Sequence, residues 1–448
     1  MKRIVIIICF FAVILQLSCS REDSIDSDFQ PRIFDNGNMF TSPTRVISEG
    51  QTVKFSNISF SPSTKKGLSL AWKINGKELS NDTVFTFTPP AGGGEFMVTL
   101  EASYNGKVSV RNTNILVSPT DYTLKPYNQV ALSYLTEKGS AKNIDWKQVT
   151  HVAYNTALVR SDGTIDFSKG DLNQIADELV TRAHINGIPL LLGISGRLSP
   201  VDGWSLYNSS DFGDAISSPT IRTEVIKNIV NYVNTKKMDG VDILMSDLSN
   251  DSYSISARNA AAVGPFITAL KAALKPNAIV TATVTTNYLH WEYSSLSNAD
   301  WINVRAYEDG LHVGPGAPLG QPSSFDYFKS AATIWLNKGY PASKLVLGIP
   351  AFGLRYDRLD DQGNNLDWGS YTYMPFADIL KASDDKEAYQ KEYLSKIGSG
   401  VYYNGTALVM QKAKYINTEG FKGAYLWAGD YDVADNRSLM ATIKSNIK

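Results

Sequence analysis

Cysteine and histidine are scarce in this sequence. Only two of the 448 residues are cysteines, and one of them, Cys9, lies in an N-terminal segment that we expect to be removed. The mature chain then has no pair of cysteines that could form a disulfide. The four histidines lack the close spacing of a zinc site, and no glycine-rich phosphate loop follows the first strand of the C-terminal region. We therefore expect no metal or nucleotide cofactor.

The chain also lacks an excess of charge of either sign. It has 43 lysine and arginine residues against 44 aspartate and glutamate residues, and it has no basic run. Binding to a polyanion needs a basic patch or groove, so the composition argues against a nucleic-acid partner. The hydrophobic content of 43% is sufficient for the cores of two or three domains.

The N-terminal apolar run is too short to cross a membrane. Two basic residues precede a run from Ile4 to about Leu17, whereas a spanning helix needs about 20 residues. This pattern predicts a secretion signal. The run ends in Leu-Ser-Cys19, which resembles a bacterial lipoprotein cleavage and acylation site. We interpret residues 1–19 as a signal peptide with an acylated Cys19; the alternative is a plain signal peptide with an incidental cysteine.

Residues 20–32 have the composition of an acidic tether that does not fold by itself. The segment SREDSIDSD resembles the surface-export signal of Bacteroidetes lipoproteins. Ser20 stands where inner-membrane lipoproteins commonly have an aspartate. The resemblance implies a lipoprotein of the outer membrane of a Gram-negative bacterium, facing the cell surface.

Residues 33–120 alternate in polarity with the period of β-strands. Segments such as TVKFSNISF and GEFMVTLEAS are separated by turn formers, including Asn75-Gly76, and predict an all-β sandwich. The segment resembles the polycystic-kidney-disease (PKD) and immunoglobulin-like modules of bacterial surface proteins. Trp72 fits a core position better than a ligand platform. We interpret the module as a spacer.

Residues 125–448 alternate between apolar strands and amphipathic helices, which indicates a parallel α/β architecture. Helical periodicity is clearest in DLNQIADELVTRAHI and TEVIKNIVNYVNTKK. Eight such units predict a TIM (β/α)8 barrel whose working site lies where the strands end. The predicted strands are VALSY from Val130, HVAYNTAL from His151, PLLLG from Pro189, GVDILM from Gly240, IVTATV from Ile279, WINVRAY from Trp301, LVLGIP from Leu345 and GAYLW from Gly423.

Five segments in order resemble glycoside hydrolase family 18, the chitinases and endo-β-N-acetylglucosaminidases. They are THVAYNTALVRSDGTIDF, KMDGVDILM, WINVRAYED, WLNKGYPASKLVLGIPAFG and EGFKGAYLWAGDYD. The family's fourth strand has the pattern Asp-Gly-x-Asp-x-Asp-x-Glu, in which the glutamate protonates the leaving oxygen and the preceding aspartate orients the substrate's N-acetyl group. This implies substrate-assisted hydrolysis of N-acetylglucosamine chains.

The chain departs from this pattern at both carboxylates. Asp239, Gly240 and Asp242 match, but Leu244 replaces the orienting aspartate and Ser246 replaces the acid. Neither replacement can do the chemistry of the residue it stands for, so we predict no catalytic residue at these positions.

Two carboxylates could substitute for the missing acid. Asp247 is one residue out of register and would need a strand bulge to point inward. Glu308 follows Tyr307, where the family commonly has an aspartate.

Several other positions match glycan-contacting residues of the family. Trp427 matches the floor tryptophan, and Tyr307 matches the tyrosine that binds the N-acetyl group. For the others the sequence leaves two roles open: Tyr134 and Tyr154 line the pocket floor or pack in the core, and Asp242 binds sugar or satisfies neighbours in the barrel. Arg305 pairs with Asp242 or Glu308, or recognises an acidic sugar. Trp204 and Trp368 could extend a platform at the rim.

The leading hypothesis is a surface lipoprotein that binds N-acetylglucosamine-containing glycans through a catalytically degenerate barrel, for neighbouring glycan-degrading or transport proteins. One alternative is an active chitinase or endo-β-N-acetylglucosaminidase with a displaced acid. Another is an adhesion or structural protein whose barrel no longer binds sugar.

Overall fold

The computed structural model of the chain describes residues 29–167, 172–196, 211–244, 252–308, 320–366, 371–395 and 397–448. The chain separates into two compact units, with the division between Val117 and Ser118. Among the residues described, no helix combines the length and the apolar character that a membrane span requires.

The N-terminal unit is built of antiparallel strands. Its sheets have the orders β2-β9-β8-β5-β6, β3-β7 and β1-β4. Asn75 and Gly76 both have positive φ (50° and 83°) in the turn between β5 and β6, as a two-residue hairpin of the primed type requires. The strands are β1 (Arg32–Asp35), β2 (Thr44–Ser48), β3 (Val53–Phe55), β4 (Ile58–Ser61), β5 (Ser69–Ile74), β6 (Lys77–Ser80), β7 (Phe85–Phe87), β8 (Gly94–Tyr104) and β9 (Lys107–Ser118).

Trp72 lies at the centre of this unit's core. Its side chain is fully buried, stacks on Phe85 with 5.2 Å between ring centroids, and donates a hydrogen bond from Nε1 to the carbonyl oxygen of Asp82 at 2.9 Å. Burial of the ring with its one polar atom satisfied is the usual role of a sandwich tryptophan. The predicted core position of Trp72 is confirmed.

The C-terminal unit is a closed barrel of parallel strands surrounded by helices. Eight strands follow one another around it in the order β10-β22-β17-β16-β15-β14-β13-β11, and pairing of β10 with β11 closes the ring. The barrel strands are β10 (Val130–Leu135), β11 (His151–Val159), β13 (Leu190–Ser195), β14 (Gly240–Leu244), β15 (Ile279–Val284), β16 (Trp301–Val304), β17 (Leu345–Pro350) and β22 (Gly423–Trp427).

Helices lie between most of these strands, and a small sheet is inserted between β17 and β22. The inserted sheet has the antiparallel order β19-β18-β21-β20, and β12 (Ile165–Asp166) forms a hairpin with β11. Its strands are β18 (Phe352–Tyr356), β19 (Tyr371–Pro375), β20 (Tyr393–Leu394) and β21 (Gly400–Tyr402). The helices are α1 (Leu172–Ile185), α2 (Asp211–Ser217), α3 (Pro219–Lys236), α4 (Tyr253–Ala273), α5 (Phe325–Asn337), α6 (Phe376–Ala382), α7 (Thr406–Thr418) and α8 (Leu439–Asn446).

The fold class predicted from the sequence, a TIM barrel preceded by an all-β region, is confirmed. Each of the eight predicted strands is present, but the sixth is shorter than predicted. It ends at Val304, and the backbone N–H of Ala306 turns back to the carbonyl oxygen of Val304 at 2.9 Å. Arg305, Tyr307 and Glu308 therefore lie in a turn at the end of the strand.

Candidate functional site

Strand register determines which side chains point into the barrel. Paired residues on neighbouring strands share a face, and alternate residues along one strand lie on opposite faces. Asp242 pairs with Gly193 on β13 and with Thr281 on β15. Its carboxylate binds side chains from across the barrel, so this face is the interior.

Asp242 is the centre of a buried hydrogen-bond network. Its carboxylate accepts hydrogen bonds from Tyr134 Oη at 2.7 Å, Thr281 Oγ1 at 2.5 Å and Asn303 Nδ2 at 2.9 Å. The side chain is fully buried, and loss of solvation raises the pKa of the Asp242 carboxyl despite these donors. Burial likewise raises the pKa of Tyr134 well above its usual value. The sequence left open whether Asp242 and Tyr134 contact a ligand or interact within the barrel. Their hydrogen bonds support interaction within the barrel.

Leu244 lies one layer above Asp242 on the same inner face. It ends β14, pairs with Thr283 and is 4% exposed. It lies two positions after Asp242, so its side chain also points toward the axis, at the end of the barrel where working sites of this fold lie. The position where the family pattern has its orienting carboxylate therefore contributes an aliphatic side chain to the interior.

Aromatic rings fill another part of the barrel interior. The ring centroid of Trp427 is 5.2 Å from that of Tyr134, and the hydroxyls of Tyr425 and Tyr307 are 3.4 Å apart. Gly348 makes room for them, since a Cβ atom there would lie 2.4 Å from Cζ of Tyr425. Trp427 and Tyr307 are each about 1% exposed, so both rings are buried in the barrel interior.

Arg305 and Glu308 form a buried ion pair beside Tyr307. Their side chains are 7% and 9% exposed, and the guanidinium carbon of Arg305 lies 5.2 Å from the centroid of the Tyr307 ring. Glu308 adopts a positive φ of 66°, a conformation that non-glycine residues seldom take. The predicted internal pairing of Arg305 is confirmed, with Glu308 as its partner.

Of the two roles left open for Tyr154, burial by packing is the one that the structure supports. Tyr154 pairs with Leu135 on β10 and with Leu192 on β13, whereas the inward-facing Tyr134 pairs with Ala153. Tyr154 therefore lies on the outer face of the barrel, and the hypothesis that it lines the pocket floor is wrong. Period-two alternation shows that neighbouring residues lie on opposite faces, but only the register shows which of them faces inward.

The remaining predicted positions, Ser246, Asp247, Trp204, Trp368 and Cys19, lie outside the described residues. Their roles stay predictions.

Sequence reasoning missed the polar side chains that surround Asp242. Thr281 and Thr283 lie at alternate positions of β15, and Asn303 on β16 pairs with Thr283. Polar residues at alternate positions of otherwise apolar strands were a usable signal, because a buried polar group needs a partner. The threonines could have been matched to Asp242 on that basis.

Asp239, the first residue of the family motif, lies at the opposite end of β14 from Leu244. Its carboxylate accepts hydrogen bonds from Tyr122 Oη at 2.5 Å and from the backbone N–H of Leu190 at 2.8 Å, and it lies 3.1 Å from Nε2 of His184. Asp239 therefore links neighbouring segments at the end of the barrel where the strands begin, and it is not part of the candidate site.

Within the described ranges no group of three or more histidine, cysteine, aspartate and glutamate side chains could hold a metal ion.

Comparison with known proteins identifies the family. The sequence profile of the glycosyl hydrolases family 18 matches residues 130–432, and the chain belongs to this family. It is 22% identical over 342 residues to Chitinase 1 of Aphanocladium album, an alignment covering 66% of this chain and 78% of that protein.

Solved structures show the same fold. A chitinase from Bacteroides thetaiotaomicron superposes with a TM-score of 0.56 at 22% identity, covering 72% of this chain and 97% of that one. A mutant class V chitinase from Nicotiana tobaccum in complex with NAG4 superposes with a TM-score of 0.54 at 19% identity, covering 71% and 98%.

Replacing Asp242 with asparagine should change how stability depends on pH. Below the ordinary carboxyl pKa of 3.8 the group is protonated in both states. As the pH rises above 3.8, Asp242 loses its proton first in the unfolded chain. The free energy of unfolding of the wild type therefore falls until the pH exceeds the raised pKa of Asp242 in the folded state. The loss is about 1.4 kcal/mol per pH unit in this window. Asparagine does not titrate.

The measurement is urea unfolding of both proteins between pH 4 and pH 8. We expect the free energy of unfolding of Asp242→Asn, minus that of the wild type, to increase with pH and then level off. The surface variant Asp384→Asn controls for the loss of one negative charge. A difference that is constant across the range would contradict a raised pKa for Asp242.

Proposed function

We propose that this protein binds N-acetylglucosamine-containing glycans without hydrolysing them by the ordinary family 18 mechanism. The observation that carries the proposal is the position of Leu244 on the inner face, one layer above Asp242. Membership of the family supports an N-acetylated sugar as the ligand, and the NAG4 complex of the tobacco relative is consistent with it.

The proposed loss of activity follows from the chemistry of two side chains. Leucine cannot hydrogen-bond the N-acetyl group or stabilise the positive charge that develops when that group attacks. Ser246, in the acid's place in the sequence, cannot protonate a glycosidic oxygen near neutral pH. General acid assistance alone is worth about 10²- to 10⁴-fold in rate, and the missing charge stabilisation adds to that deficit.

The ion pair of Glu308 bears on the alternative function. A guanidinium in contact favours the ionised form of a carboxylate, which accepts a proton rather than delivering one. Glu308 is therefore a poor replacement acid while Arg305 is paired with it. Asp247 stays as the other candidate, and the resemblance to proteins named chitinases favours testing for residual hydrolysis.

Binding without cleavage is tested with soluble chitohexaose. We expect calorimetry to detect binding and mass spectrometry to detect no shortened product after prolonged incubation. Trp427→Ala should weaken binding about tenfold or more, because the sugar loses its aromatic floor, whereas Trp427→Phe should retain part of the affinity.

Trp146→Ala is the control, because Trp146 is a half-buried tryptophan that precedes β11, at the other end of the barrel. Absence of binding by the wild type would overturn the proposal. Product release that disappears in Asp247→Asn or Glu308→Gln would establish the alternative, an active hydrolase with a displaced acid.

Restoring both carboxylates should restore weak activity. In the double variant Leu244→Asp with Ser246→Glu, the barrel framework of Asp242, Tyr307 and Trp427 is unchanged. We expect slow release of reducing sugar from chitohexaose. The isosteric double variant Leu244→Asn with Ser246→Gln is the control and should be inactive. If both variants are equally inactive, the site differs from the family's hydrolases at more than these two positions.

We further propose that Cys19 is lipidated, and that the protein is anchored at the outer membrane, facing outward, with the PKD-like N-terminal unit as a spacer. The proposal rests on the sequence from residue 1 to residue 32. A glycan held there would be available to neighbouring degradative or transport proteins.

Metabolic labelling with a palmitate analogue tests the anchor. We expect the wild type and Cys9→Ser to be labelled and Cys19→Ser to be unlabelled and released from membranes, since only a cysteine at the cleavage site can be acylated. Protease treatment of intact cells reports which side the protein faces. Labelling that persists in Cys19→Ser would refute this assignment.

A further inference from the structure

Three exposed aromatic side chains cluster on the barrel unit outside its interior. Trp291 is 69% exposed, and Tyr253 and Tyr288 are each 56% exposed. Among the described residues of this unit, these are the three most exposed large apolar side chains. Single exposed apolar residues are common, but a cluster of large rings in water usually indicates a binding surface.

The cluster lies on the side of the barrel where the strands end. Tyr253 is the first residue of α4, which follows β14, and Tyr288 comes four residues after β15 ends at Val284. The working site of a TIM barrel lies at this same end. The ring centroids of Tyr253 and Tyr288 are 6.1 Å apart, so two separate connections contribute to one surface.

The turn that carries two of the rings is anchored by a buried leucine and by hydrogen bonds from a lysine side chain. Tyr288 and Trp291 belong to the 3-10 helix Tyr288–Glu292, in which residues three apart project from the same side. Leu289 between them is buried. Lys338 Nζ donates hydrogen bonds to the carbonyl oxygens of His290 at 2.8 Å and Trp291 at 3.1 Å. The rings are therefore presented by a fixed segment, which lowers the cost of ordering them on binding.

Polar groups lie at the edge of this surface. Tyr253 Oη donates a hydrogen bond to the carboxylate of Glu292, and the ring of His290 lies 4.4 Å from that of Trp291. Aromatic faces with hydroxyl and carboxylate groups at their edges match a pyranose ring, which has an apolar C–H face and hydroxyls around it.

We propose that Tyr253, Tyr288 and Trp291 form a second sugar-binding site, an exposed platform that holds a polysaccharide chain outside the barrel interior, on the side where the strands end. The inference rests on the proposed function for its ligand class. The rings inside the barrel are almost wholly covered, whereas the platform is open and can contact an insoluble polymer directly. It would therefore bind polymer surfaces, while the interior site binds single chains.

The test compares retention on insoluble chitin with affinity for soluble chitohexaose. We expect the triple variant Tyr253→Ala, Tyr288→Ala, Trp291→Ala to lose at least about tenfold in retention on chitin and to keep its affinity for chitohexaose within about twofold. Trp291→Phe should retain more binding than Trp291→Ala. Tyr127→Ala is the matched control, because Tyr127 is an exposed aromatic residue that precedes β10, at the other end of the barrel.

The outcomes separate the two proposals. If the triple variant binds chitin like the wild type while the wild type binds chitohexaose, the platform is refuted and the proposed function stands. If the wild type is retained on chitin through these rings but does not bind chitohexaose, the interior site is refuted and the platform stands. If the wild type binds neither ligand, or if it self-associates and the triple variant does not, the platform is refuted.

Discussion

The buried carboxylate of Asp242 is the interaction around which the barrel interior is organised. It joins β14 to β10 through Tyr134, to β15 through Thr281 and to β16 through Asn303. A buried charge without partners would be costly, so these donors have to be present for the strands to close around it. The network therefore links four strands of the barrel, one layer below Leu244.

That layer contains the differences that matter for function. Leu244 contributes an aliphatic side chain to the interior, to which Trp427, Tyr425 and Tyr307 also contribute aromatic rings. Beside them, Arg305 and Glu308 neutralise each other in a buried pair. This combination offers little means of moving a proton, and the absence of hydrolysis in the proposed function follows from it. The proposed platform of Tyr253, Tyr288 and Trp291 adds aromatic rings that are open to solvent.

Much of this could be predicted before the structure was known. Apolar strand runs were long enough to place all eight barrel strands, and the helical period located α1 and α3. The inserted sheet between β17 and β22 was not predicted, because its strands are short and their pairing is nonlocal. The end of β16 was placed too late, because a backbone turn at Arg305 and Ala306 leaves no mark on hydrophobic periodicity.

The sequence by itself determined the family, the order of the barrel strands and the replacement of both motif carboxylates by Leu244 and Ser246, because each depends on residue identity and local spacing. Only the tertiary structure decided that Tyr154 faces outward, that Arg305 pairs with Glu308 and that Tyr253 lies beside Tyr288 from a separate connection. These features depend on register between strands and on contacts between segments far apart in the chain. Periodicity along a single strand carries information about neither.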